Sequence, residues 1–76
     1  MSMKFGEKVR CLREDTDMNQ TELGRATGMT QRKISYIECG ACEPSVEDIK
    51  SFCRVFNVSA DFLLGLPKGM PFPDER

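Results

Sequence analysis

Apolar residues along the 76-residue chain recur at three- and four-residue spacing and form no convincing alternating run. Phe5, Val9 and Leu12 stand at i, i+4 and i+7, one stripe of a helix. Ser2 is placed as its cap and "EDTD" as its end, with Asp17 a candidate for the left-handed backbone that Asp tolerates better than most residues. "MNQTELGRATG" opens a second helix. Asn19 is its N-cap, Glu22 completes a capping box, Met18 and Leu23 occupy the positions of a hydrophobic staple, and Gly28 ends it. "MTQRKISYIECG" repeats the device: Thr30 caps, Met29 and Ile34 make the staple, Ile34 and Ile37 point inward, and Gly40 stops the helix. A fourth helix follows Pro44 and the cap Ser45, with Asp48 at N3, where a negative charge suits the helix dipole. Its expected buried stripe is Val46, Ile49, Phe52, Cys53 and Phe56, and Asn57 suits its C-terminal end. Ser59 caps a last short helix, "ADFLLG", closed by Gly65. The pattern predicts an all-α domain over residues 1–66 and a proline-rich tail over 67–76 without regular structure.

Size and charge narrow what such a domain does. A chain this short supports one domain and no deep catalytic cleft. It has no His, no nucleophile elbow and no glycine-rich phosphate loop, so an enzyme is not expected. The formal net charge is −1, which by itself gives no support to a nucleic-acid binder. Residues 1–38 hold seven Lys/Arg against six Asp/Glu, and residues 39–76 four against six, so the basic groups lean towards the N-terminal half. No apolar run approaches the ~20 residues that span a bilayer, and no secretory signal is visible. A cytoplasmic protein is therefore expected, with its four cysteines reduced. Cys39 and Cys42 form a C-x-x-C, the spacing of half a zinc site. Cys11 and Cys53 would have to complete it, yet Cys53 falls on the buried stripe of the fourth helix and Cys11 beside Leu12 on the first. The plain reading is two half-buried thiols and two loop thiols, with no metal and no cofactor.

Two short helices joined around "TGM", each with its own staple, make the pattern of a helix-turn-helix. A second helix held rigidly on such a scaffold can enter a major groove, which admits one α-helix. The amides at the start of the first of the two can hold a phosphate. "LRED" at 12–15, "NQTELG" at 19–24, "TGMTQRKISYIECG" at 27–40, "EPS" at 43–45 and "FNVSADFLLG" at 56–65 carry a resemblance. Residues 5–66 resemble the Xre-type helix-turn-helix domain of lambdoid phage repressors and Cro proteins.

The resemblance implies a compact five-helix lambda-repressor-like fold and a sequence-specific transcription regulator of prokaryotic or phage type, most often a repressor. Carried over position by position, it places Gln31, Arg32 and Tyr36 at the base edges. Gln31 would pair with an adenine and Arg32 with a guanine. Gln20 would bind a phosphate and brace the recognition helix, and Asn19, Thr30, Lys33 and Ser35 would meet the phosphate backbone. Arg13 and Glu38 match a buried ion pair tying the first helix to the end of the third. A homodimer on a palindromic operator is implied, and its contacts are assigned to Phe62, Leu63, Leu66 and Phe72. Two stretches depart from the family pattern. The loop after the recognition helix reads "CGACEP", with no basic residue, and position 24 is Gly where the family favours Ala. On helix propensity alone, that Gly loosens the second helix by up to about 1 kcal/mol. The other reading open to the same fold is a protein-interaction module, antitoxin-like, with weak DNA binding of its own.

Overall fold

The computed structural model describes residues 4–65. They form five α-helices: α1 (Phe5–Asp15), α2 (Gln20–Thr27), α3 (Gln31–Glu38), α4 (Val46–Phe56) and α5 (Ala60–Leu64). No strand occurs among the described residues. The expectations placed on Ser2, Leu66, Phe72 and the tail over 67–76 lie outside them. No described helix is long and apolar enough to cross a membrane.

Helices of five to eleven residues are marginal on their own, so their ends and their packing decide whether they form. At α2, Asn19 Oδ1 accepts from the Glu22 amide at 2.7 Å and the Asn19 amide donates to Glu22 Oε1 at 2.9 Å. Thr30 Oγ1 accepts from the Lys33 amide at 3.1 Å and so caps α3. Ser45 and Asp48 close a second reciprocal box at α4, and Ser59 caps α5. Each such cap contributes about 1 kcal/mol. At α1 the N-cap is Lys4, whose amide donates to Glu7 Oε1 at 2.9 Å. Asp17 and Asn57 adopt the left-handed backbone, at φ 58° and 56°.

Val9, Leu23, Ile34, Ile37, Phe52, Phe56 and Leu63 form one buried cluster drawn from all five helices. Met18 and Met29, the two staple residues, pack partly buried against it. Phe52 stacks on Phe56 with ring centroids 6.2 Å apart and meets Phe5 at 5.9 Å. Burial of each large side chain stabilises by roughly 1.5–3 kcal/mol.

Two expectations are corrected here. Val46, placed on the buried stripe of α4, is 70 % exposed, while Asp48 is buried. The stripe runs through positions 48, 52 and 56, spaced by four. Val46 lies about 120° around the helix from Phe52, at about 100° per residue. Leu63, assigned to a dimer contact, is 1 % exposed and belongs to the chain's own core. α5 folds back against α1 and α4, with Leu63 inward and its neighbours Phe62 and Leu64 outward.

The close approach of the helices depends on two glycines. A Cβ on Gly24 would lie 2.6 Å from the Met29 carbonyl oxygen, and one on Gly6 would lie 2.6 Å from that of Glu38. Gly24 therefore lets α2 seat against the turn that leads into α3. That contact sits outside any helix-propensity argument, and the expected loosening misreads it.

Candidate nucleic-acid interface

α3 is eight residues long and buries Ile34 and Ile37 completely or nearly so. With those two facing the core, helical geometry turns Gln31, Arg32 and Tyr36 outward. Gln31 and Arg32 are exposed, and Tyr36 is 48 % exposed. Ser35 is half-buried and lines a shallow groove with Arg10, Arg13, Gln20, Glu38 and Cys39. The start of α2 lies beside the start of α3, so Gln20 and Gln31 meet: Gln31 Nε2 donates to Gln20 Oε1 at 2.6 Å. The left-handed Gly28, at φ 78°, allows the tight turn that brings the two helix starts together.

Behind that pair runs a chain of polar contacts. Gln20 Nε2 donates to Glu38 Oε1 at 3.1 Å. Arg13 grips the same carboxylate with two bonds, Nε to Oε2 at 2.7 Å and Nη2 to Oε1 at 3.1 Å. Its third donor, Nη1, reaches the Met18 carbonyl at 2.9 Å. The Arg13 and Glu38 side chains are 12 % and 5 % exposed. The hydrogen bond to Glu38 holds the Arg13 guanidinium above its ordinary value. Burial opposes this, and attraction to Glu38 and Glu14 adds to it. No buried side-chain nitrogen or oxygen among the described residues lacks a partner.

Lys33 is placed differently from a free phosphate ligand. Its ammonium bridges to Asp48 of α4, 3.0 Å from Oδ2 and 3.2 Å from Oδ1, with the lysine side chain 40 % exposed. Burial alone would push the Asp48 carboxyl up. The Ser45 amide and the Lys33 ammonium outweigh it and hold the group below the usual carboxylate value. Neither this partner for Lys33 nor the tight seats of Gly6 and Gly24 figured in the sequence expectations. Asp48 was expected at N3 for the helix dipole, and its line with Phe52 and Phe56 is the sequence signal for its burial. Asn19 and Thr30 spend side-chain acceptors on capping, yet each keeps a side-chain donor. On α5, Phe62 is 51 % and Leu64 49 % exposed. Lys8 Nζ donates to the Phe62 carbonyl at 2.8 Å and lies 5.4 Å from its ring centroid. Cys39 is exposed and Cys11, Cys42 and Cys53 are half-buried, all four as free thiols. Among the described residues no three His, Cys, Asp or Glu side chains come together as metal ligands.

The helix-turn-helix domain family matches residues 4–63. The chain belongs to the helix-turn-helix family. Its five-helix form is that of lambda-repressor-like domains. The P22 c2 repressor in complex with a synthetic operator is 29 % identical and superposes with a TM-score of 0.78, over 91 % of this chain and all of that one. The solution structure of the DNA-binding domain of the same repressor is 27 % identical, with a TM-score of 0.77 over 83 % of each chain. The antitoxin PezA of Streptococcus pneumoniae is 33 % identical over 64 residues, which is 84 % of this chain. The chain spans 40 % of the length of that antitoxin. Within the helix-turn-helix, α2 and α3 are the two helices of the motif, and α3 stands in the place of the recognition helix.

Proposed function

We propose that this helix-turn-helix protein is a sequence-specific DNA-binding transcriptional regulator that reads the major groove with the outer face of α3. The observation that carries the reading is that face itself. Gln31, Arg32 and Tyr36 project from a helix whose opposite side is locked into the core, and Gln31 is braced from behind by Gln20. Exposed amide and guanidinium groups on a rigid helix match the base edges of the major groove, Gln31 to adenine and Arg32 to guanine. Gln20, Asn19, Thr30 and Ser35 flank this face and would meet phosphate oxygens. Lys33 would do so with the donors that Asp48 leaves free. Similarity to the P22 c2 repressor, itself solved on an operator, supports both the docking and a repressor's role.

One recognition helix per chain argues for a homodimer on a two-fold symmetric site, its half-sites about 34 Å apart. Of the residues assigned to the dimer contact, Phe62 is exposed on α5 and open to a second copy, and α5 lies outside the helix-turn-helix of α2 and α3. A cytoplasmic location follows from this function. Selection of bound duplexes from a randomised pool tests the reading. An enriched palindrome is the expected result, and its spacing reports the dimer. Folded protein that enriches nothing overturns it.

A second reading, an antitoxin-like protein-interaction module, is favoured by the 33 % identity to PezA. The net charge of −1 and the uncharged loop ahead of Glu43 also fit it. Under that reading, affinity for duplex DNA is weak and shows little of the steep loss with salt that phosphate contacts produce.

A further inference from the structure

Amide side chains present a donor and an acceptor that differ in position but little in shape, so a reading amide must be held the right way round. In this protein the choice is made two hydrogen bonds away from the base-reading position. Glu38 is gripped by Arg13 through two hydrogen bonds, and a carboxylate only accepts. The Gln20 atom that faces it at 3.1 Å is therefore Nε2, which leaves Oε1 as the atom that Gln20 turns to Gln31. Gln31 must in turn approach with Nε2, as it does at 2.6 Å. One N–H of Gln31 is spent on this bond. The other N–H and Oε1 remain on the exposed side, in a left-to-right order dictated by Glu38.

That order has consequences at a base edge. Adenine shows an acceptor, N7, beside a donor, the N6 amino group. An amide in the matching order satisfies both. The reversed amide puts its oxygen against N7 and its N–H against the amino group, two mismatches at once. It suits instead thymine, whose O4 keto group accepts an N–H at that place; guanine, with acceptors at both N7 and O6, takes one N–H in either order. We infer that Glu38, acting through Gln20, fixes the orientation of the Gln31 amide and so makes this position select adenine, with its amino group, over thymine, with its keto group. Glu38 touches no DNA in this scheme and is a positioning residue; its ion pair with Arg13 supplies the rigidity. The inference rests on the reading of α3 as a DNA reader.

Glu38→Gln tests it, because Gln at 38 can offer either an oxygen or an amino group to Gln20. Gln20→Met breaks the relay at its middle while leaving the Arg13–Glu38 pair in place, and serves if Glu38→Gln does not fold. Val9→Ala, a core truncation away from the relay, controls for lost stability. Each protein, verified as folded by circular dichroism, is taken through selection on a randomised duplex pool. The wild type is expected to enrich adenine at one position per half-site. In Glu38→Gln and Gln20→Met the adenine-to-thymine preference there falls about tenfold, the order of discrimination one bidentate pair carries. Val9→Ala keeps the preference. Variants that keep the wild-type preference at that position overturn the relay, and so does a loss spread evenly over all positions. A folded wild type that enriches no sequence overturns the DNA reading, and the relay falls with it.

Discussion

At Gly24 a hydrogen atom stands where any other residue would place a carbon 2.6 Å from the Met29 carbonyl oxygen. Alanine is the better helix former by about 1 kcal/mol, yet here it must push α2 off the turn, and overpacking of that kind costs about 1–3 kcal/mol. Gly24→Ala is thus expected to lower stability in a urea melt, and an unchanged or raised midpoint would contradict the packing described. Sequence reasoning missed this because propensity is a property of one helix, whereas the contact lies between a helix and the turn beyond it. Arg13 and Glu38 were legible only through family resemblance. They stand 25 positions apart, and no local pattern joins them. Arg13→Met leaves the carboxylate, 5 % exposed, with Gln20 as its remaining side-chain donor. A stability loss of roughly 3–5 kcal/mol is expected from a half-broken buried pair, measured as the shift in unfolding free energy. A loss below about 1 kcal/mol would mean that the pair behaves like one at the surface.

Between elements, Lys33 ties α3 to α4 through its ion pair with Asp48. The stripe of α4 was read two positions off at its start, since Val46 is apolar and Asp48 is charged. The fold buries Asp48 because its carboxylate has the Ser45 amide and the Lys33 ammonium to accept from. Its carboxyl is held below the usual value, so folding is favoured by its ionised form. That stability is fully present above the unfolded value near pH 4 and is lost as pH falls through the lower folded value. Asp48→Asn should then flatten the acid limb of the stability profile below about pH 4. Urea midpoints taken from pH 7 down to pH 2 check this, and parallel profiles for the two proteins would contradict it. α5 shows where pattern runs out. Five residues hold little more than one turn, too few to reveal a period, so Leu63 could not be told from Phe62 and Leu64 until its packing against α1 and α4 was seen.

For the molecule as a whole, the five helices were legible because each carries its own start signal or stop signal, and the core because its apolar residues keep the helical period. What was not legible is long-range placement. Lys8 of α1 reaches the Phe62 carbonyl across 54 positions of chain, and nothing nearby in the sequence announces it. The candidate site lies between these limits. Its residues follow from helix geometry once Ile34 and Ile37 are taken inward, but the order of contacts from Arg13 to Gln31 needed the fold. Bulk charge gives no help, since a net charge of −1 is compatible with either function proposed. The direct test is equilibrium affinity at one near-physiological salt concentration, for the duplex enriched by selection and for a shuffled duplex of the same composition. A domain that reads bases through α3 is predicted to prefer the selected duplex by about a thousandfold or more. Equal affinities for the two duplexes would contradict the account.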